Sequence, residues 1–260
     1  MQEENERMES ITGVREAIRM CPEEQLETLL ANYADDPRAG VQSLIAAGRR
    51  RVEAYHKELA RTEEMWHYER LYPDREHIGG IDEVGRGPLA GPVVAACVIL
   101  PKDCRLLYIN DSKQLSEKKR EELYDRILEE AVSVGIGVVS HEVIDEINIL
   151  QATYRAMREA IEMMETKPDQ ILVDAVHIPG VAIPQRGIIK GDAKSISIAA
   201  ASIVAKVTRD RMMTEMDARY PGYGFAGNKG YGSAEHIQAI REKGPCEIHR
   251  RSFIHSFVDL

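Results

Sequence analysis

At 260 residues, 43% of them hydrophobic and 30% charged, the chain is long enough to bury a core without disulfide staples. A net charge of -9 argues against a uniformly basic nucleic-acid surface; phosphate contacts would need a local basic patch, and clustered carboxylates would need bound cations to offset them. The four cysteines, Cys21, Cys97, Cys104 and Cys246, form no CxxC pair and have no histidine at zinc-finger spacing, which disfavours a structural zinc site or a disulfide framework.

Met1 to Glu9 is polar and acidic, unlike a secretory signal. Pro88 to Pro101, the longest apolar stretch, is too short and too interrupted by Gly and Pro to cross a bilayer. These features predict a cytoplasmic protein with no membrane partner, taken to act as a monomer. Residues 1–72 read as a small helical extension, with helical spacing at Leu26, Leu29, Leu30 and Tyr33 and turn chemistry at Asp35-Asp36-Pro37-Arg38. A second helix is expected from Val41, Leu44 and Ile45, and a third from about Arg49 to Arg70. Leu71-Tyr72-Pro73-Asp74 marks the boundary to a second domain, residues 73–260.

Beyond it the pattern is α/β. Strands are expected at His77 to Val84 and Val93 to Leu100, then at Val132 to Ser140, where alternating Val and Gly suits close backbone packing. A helix from Ser116 to about Glu130 has Ser116 as its N-cap. A helical run from Val143 to Glu165 precedes short strands at Ile171 to Asp174 and Gly187 to Lys190. A long helix from Ser195 to Arg219 and a last one from Ser233 to Lys243 follow. This order predicts a mixed sheet flanked by helices; it suits a ribonuclease H-like sheet, and the fold alone names no function.

Four acids stand out. Asp82 and Glu83 lie near the end of an apolar strand and run into Val84-Gly85-Arg86-Gly87-Pro88; adjacent strand residues point to opposite faces, so both serve one site only if the strand ends or distorts there. Asp174 ends Ile171-Leu172-Val173, and Asp192 follows Ile188-Ile189-Lys190-Gly191 just before the long helix. Taken singly, each is a solvated strand end or a first-turn helix acid. Taken together they make an oxygen-only cluster of the kind magnesium or manganese selects, and two such ions can cleave a phosphodiester without a protein nucleophile. Asn228-Lys229-Gly230-Tyr231-Gly232 pairs a cation with an aromatic ring in a flexible loop, suited to a phosphate and a sugar or base, or else to a surface turn. Lys190, Lys194, Lys206, Arg209 and Arg211 crowd one stretch, with Lys229, Arg241, Lys243, Arg250 and Arg251 after it; any one alone reads as mixed-charge surface. His249-Arg250-Arg251-Ser252 is either phosphate-binding or a polar turn.

From Ile78 to Phe253 the chain resembles bacterial ribonuclease HII. The resemblance is carried by Gly80-Ile81-Asp82-Glu83-Val84-Gly85-Arg86-Gly87-Pro88, Asn110-Asp111-Ser112-Lys113, Val173-Asp174-Ala175 and Lys190-Gly191-Asp192-Ala193-Lys194. Ala200 to Asp210, Asn228-Lys229-Gly230-Tyr231 and His249 to Phe253 continue it. It implies that Asp82, Glu83, Asp174 and Asp192 hold Mn2+ or Mg2+ and are catalytic. It further implies that Gly85, Arg86, Gly87, Lys113, Lys194, Lys229 and Tyr231 bind substrate. The glycine-arginine-glycine loop would read a 2′-hydroxyl and Tyr231 would pack on the next, deoxyribose, sugar. The implied reaction cuts 5′ of ribonucleotides in duplex DNA, and the RNA strand of RNA–DNA hybrids, in repair of misincorporated ribonucleotides, leaving 3′-hydroxyl and 5′-phosphate ends. Residues 1–72 exceed the minimal family pattern; Arg49-Arg50-Arg51 are candidates for extra duplex contact, and a stabilising helical cap is the other reading. Rivals are the sister family, ribonuclease HIII, and a non-catalytic hybrid-binding module, which would be expected to lack one of the four acids.

Overall fold

The computed structural model describes residues 9–102 and 104–256, so the acidic stretch read for a targeting signal lies, apart from Glu9, outside the described residues. The chain forms two compact units, divided at Glu63/Glu64. The first is helical. Helix α1 (Ile11–Met20) is capped by the Ser10 hydroxyl, which accepts from Gly13 N at 3.0 Å. Helices α2 (Glu23–Ala31) and α3 (Ala39–Met65) follow, and Val14, Ile18, Leu26, Leu30, Val41, Ile45 and Val52 form the core. The two helices expected after Pro37 are one 27-residue helix. Nothing from Val41 onward breaks it, because Arg49 to Arg51 are good helix formers and Gly48 sits against Leu30, where a Cβ would fall 2.6 Å from Leu30 Cδ2.

The second unit is built on five strands. In chain order they are β1 (Ile78–Val84), β2 (Val93–Ile99), β3 (Ser133–Val139), β4 (Gln170–Asp174) and β5 (Gln185–Ile188). The sheet order is β3-β2-β1-β4-β5; β1 is antiparallel to β2 and parallel to β4, and β4 is parallel to β5. Both faces are covered, which is why β2 is buried at every residue. On one face Val94, Ala96 and Val98 pack with Leu123 and Ile127 of α4 (Glu117–Glu130) and with the Ala/Ile/Val stripe of the long helix α7 (Ile196–Arg219). On the other, Ile81, Ala95 and Cys97 pack with Ala152, Ala156 and Ala160 of α6 (Ile149–Met163), which follows the short α5 (His141–Ile147). The alternating glycines of β3 let α6 approach: a Cβ on Gly135 or Gly137 would fall 1.9 Å from the carbonyl oxygens of Ala160 or Ala156.

The helical stretch expected from Val143 to Glu165 forms two helices, α5 and α6, that meet at Asn148. That residue takes φ 69°, and its side chain accepts from Leu150 N and Gln151 N to start α6. Strand β5 begins earlier and ends sooner than expected, because Lys190 turns to φ 58°. Short helices α8 (Phe225–Asn228) and α10 (Arg251–Ile254) flank α9 (Ala234–Lys243). No helix among the described residues is long and apolar enough to cross a membrane.

Candidate active site

Because β1 and β4 are parallel neighbours, their carboxyl ends fall on the same sheet edge, where open α/β sheets place ligands. Asp82 and Glu83 come from the end of β1, and Asp174 is the last residue of β4. Asp192 sits in a single 3-10 turn, Gly191–Ala193, between β5 and α7. The strand neither ends nor distorts at Asp82: the register with β2 is unbroken through Val84↔Val94, so Asp82 and Glu83 leave opposite faces of the sheet. Both nevertheless feel the charge of Asp174.

Burial, with the Glu83 charge next to it, holds the Asp82 carboxyl well above the usual range; the Ser202 hydroxyl of α7 and the Glu83 amide, at 2.8 Å, oppose the rise. Burial also raises Glu83, against the Arg86 guanidinium 3.2 Å away. Asp192 is raised by burial, then by Asp111 and Asp174, while Lys113 lowers it. Asp174 accepts from Gly191 N at 2.7 Å, which ties β4 to the turn bearing Asp192. The donor set is all oxygen and strongly self-repelling, so its chemistry fits a hard divalent cation. Among the described residues, however, no three acid, histidine or cysteine side chains stand close enough to hold a metal ion as placed.

Beside this edge two loops meet. Leu89 N donates to Gly230 O at 2.8 Å, and a Cβ on Gly87 would lie 3.9 Å from Tyr231 Cε1, so the glycine-arginine-glycine loop and Tyr231 share one surface. Tyr231 is 41% exposed. Gly85 takes φ 92° with Arg209 where a side chain would be, a place only glycine fills.

The ribonuclease HII family model matches residues 79–256, and the model described as the ribonuclease HII N-terminal domain matches residues 10–73. The chain is 65% identical over 222 residues to ribonuclease HII of Lachnoclostridium phytofermentans, covering 85% of this chain and 87% of that one. It is 52% identical over 247 residues to ribonuclease HII of Enterococcus faecalis, covering 94% and 96%. Among solved structures it is similar to ribonuclease H2 of Pyrococcus horikoshii, at 27% identity and a TM-score of 0.60, covering 70% of this chain and 97% of that one. The chain belongs to the ribonuclease HII family. It is thus a ribonuclease H, an endonuclease for RNA–DNA hybrids, and the choice between ribonuclease HII and its sister family falls to the former.

Two members of the basic stretch turn out not to be surface in this ribonuclease HII. Arg209 and Arg250 are fully buried. Arg209 donates to the carbonyls of Pro92 (2.9 Å), Ala90 (3.1 Å) and Lys229 (2.8 Å). Arg250 donates to those of Gly91 (2.9 Å), Gly85 (2.6 Å), Arg86 (3.1 Å) and Pro92 (3.2 Å). Between them they fasten the loops around Gly85–Pro92 and Lys229 by their backbones. Burial lowers Arg209 to about 10 and Arg250 to about 9. His249, in the run read as either phosphate-binding or a polar turn, is buried with its Nε2 3.0 Å from that of His236, whose Nδ1 meets Tyr231 O at 2.8 Å.

The other basic residues divide. Lys113 and Lys194 are exposed, and Lys113 is near enough to lower Asp192, whereas Lys229 takes φ 52° and donates to Thr214 Oγ1 at 2.9 Å. Lys206 is paired with Asp210 at 2.6 Å. In the helical unit, Arg49 and Arg50 are exposed, but Arg51 donates to Ile18 O at 2.8 Å and so serves the end of α1. Sequence reasoning missed Ser202, Asp111 and the structural use of the two arginines. Ser202 and Asp111 lie inside motifs already singled out, and only tertiary packing shows what they touch.

Proposed function

We propose that this ribonuclease HII hydrolyses the phosphodiester on the 5′ side of ribonucleotides embedded in duplex DNA, as well as the RNA strand of hybrids. Asp82, Glu83, Asp174 and Asp192 would hold Mg2+ or Mn2+. The observation that carries this reading is that burial raises Asp82, Glu83 and Asp192 at the carboxyl end of the sheet, and that the charge of Asp174, on the strand beside β1, raises each of them further. Such repulsion costs stability unless the site binds cations. When bound, divalent ions activate water and neutralise the leaving oxygen.

The chain's own groups do the rest. The carbonyls of Gly85 and Arg86 are held by Arg250, but a carbonyl has two lone pairs, so each can still accept from a 2′-hydroxyl. The exposed Tyr231 ring is placed to cover the neighbouring sugar. Arg86, now paired with Glu83, and the exposed Lys113 and Lys194 would meet phosphates, and Lys229 would do so on giving up Thr214. The helical unit is a substrate-contact module through Arg49 and Arg50. All four cysteines are free thiols, which suits a monomer working in the reducing cytoplasm.

The test is cleavage of a duplex containing one ribonucleotide, with Mg2+ and Mn2+ compared and the cut mapped. A cut on the 5′ side that disappears with chelator is expected. A cut on the 3′ side, or cleavage that survives chelation, would overturn the reading.

A further inference from the structure

Helix α7 follows Asp192 by a few residues and carries Ser202 and Arg209, so the helix joins the acids to the loop platform. A helix N-terminus leaves its first amides without intrahelical partners. Here Ser195 is the N-cap, with its hydroxyl accepting from Ile198 N at 3.3 Å. A second cap comes from far away in sequence. Glu69, in the 3-10 turn Glu69–Leu71 that precedes β1, uses Oε1 to accept from Ser195 Oγ (2.6 Å), Ser197 Oγ (2.6 Å) and Ser197 N (3.1 Å). Glu69 is 5% exposed, and its other oxygen, Oε2, is buried without a hydrogen-bond partner.

A buried carboxylate oxygen left unpaired is unfavourable, and a fold that tolerates one keeps the residue for its placement. The placement is specific. The segment Gly191–Ser195 is pinned at its start by Asp174, which accepts from Gly191 N, and at its end by Glu69, which accepts from Ser195 Oγ. Within the segment, Ser195 N and Lys194 N both donate to Gly191 O, at 2.8 and 2.9 Å, making it a tight knot. Asp192 lies between the two pins.

We propose that Glu69 is a positioning residue for cleavage: without touching substrate, its Oε1 fixes the start of α7 and so the orientation of Asp192. The inference rests on placing Asp192 in the catalytic edge. Misplacing a reacting group by a fraction of an ångström slows the chemical step while leaving substrate affinity, which the loops and basic residues supply, largely as it was.

The experiment compares Glu69→Ala and Glu69→Gln in steady-state cleavage of a duplex carrying one ribonucleotide, at a temperature where circular dichroism shows each variant folded. Glu69→Ala is expected to lower kcat about tenfold or more with KM within about twofold. Glu69→Gln keeps an acceptor oxygen and should recover most of kcat. A cap with no positioning role would lower the melting temperature of Glu69→Ala and leave kcat of the folded enzyme unchanged, which would overturn the proposal, as would a loss confined to KM. Should Glu69→Ala fail to fold, Ser195→Ala and Ser197→Ala replace it: Ser195 is the tie to the Asp192 segment, so its loss must cost more kcat, and equal or absent losses overturn the proposal. Asp192→Asn is measured alongside. Cleavage retained in that variant would remove the site assignment itself, whereas cleavage abolished there but intact in Glu69→Ala would remove only the role of Glu69.

Discussion

At the end of β1, Asp82 is buried and Glu83 half-buried near Asp174 at the end of β4, and burial together with neighbouring acid charge raises both carboxyls. In the adjoining loop platform Arg209 and Arg250 are buried as deeply, yet each is surrounded by backbone carbonyls that satisfy its guanidinium. Both regions carry a desolvation cost, and they differ in who completes the hydrogen bonding. In the proposed reading the acids are left for an external cation, whereas the arginines are finished internally and serve as fasteners. A buried charge therefore marks chemistry only where its compensation is missing.

The largest test of this contrast is Asp82→Asn. Losing one carboxylate of a metal-holding set removes several kcal/mol of transition-state stabilisation, so cleavage should fall by roughly 10^3-fold or more. The same variant should melt higher than the parent in metal-free buffer, since repulsion is relieved. The sign of its pH dependence follows from the raised carboxyl: the penalty is full above the folded-state value, shrinks below it and is gone at the ordinary carboxylate value, so the gain in melting temperature should shrink on acidification. A lower melting temperature at about pH 8 would break the comparison at its acidic end.

Arg250→Met tests the other side. It strips the Gly85, Arg86 and Gly91 carbonyls of a donor, at about 1–3 kcal/mol for each group left unsatisfied, so a loss of roughly 3 kcal/mol or more is expected in urea denaturation. A loss below about 1 kcal/mol would mean the loop does not depend on its fastener.

His249 gives a comparable but pH-dependent effect. Burial, with His236 next, lowers it to about 4 from an ordinary 6.5, so the unfolded chain takes its proton first and stability is lost as pH falls from about 6.5 towards 4. The loss reaches roughly 3 kcal/mol. Denaturant titrations across that window should show a flatter acid limb for His249→Asn; parallel limbs would count against a neutral buried imidazole. The smallest expected effect belongs to the helical unit. A chain beginning at Glu64 should keep its cut position while the salt slope of hybrid binding falls by about 2, one for each of Arg49 and Arg50. An unchanged slope would favour the structural-cap reading.

Much of the architecture is legible in the amino-acid sequence, because strands such as Val93–Ile99 are apolar runs bounded by turn residues and helices such as Glu117–Glu130 carry a serine cap at the expected place. The four acids are legible for the same reason, each standing at or just after a strand end. What escapes a reading of the sequence depends on information absent from local pattern. The break at Asn148 needs one residue at positive φ, which the helical spacing on either side conceals. Arg209 and Arg250 look like surface cations in one dimension, since a basic residue is ordinarily exposed; only the convergence of loop carbonyls from residues 85–92 explains their burial. Glu69 falls within the stretch that reads as an extension, and nothing in its neighbourhood points to a helix that begins more than a hundred residues later.

That same long reach has a consequence for the birth of the enzyme on the ribosome. Gly85 and its carbonyl partner Arg250 are separated by 165 residues. At about 5–20 residues per second, roughly 8–33 seconds of synthesis pass between them. Throughout that interval β1 and its acids already exist, while the loop that would select a ribonucleotide still lacks its clasp. The Gly85-Arg86-Gly87 loop, proposed to read the 2′-hydroxyl, is thus made early and fastened late.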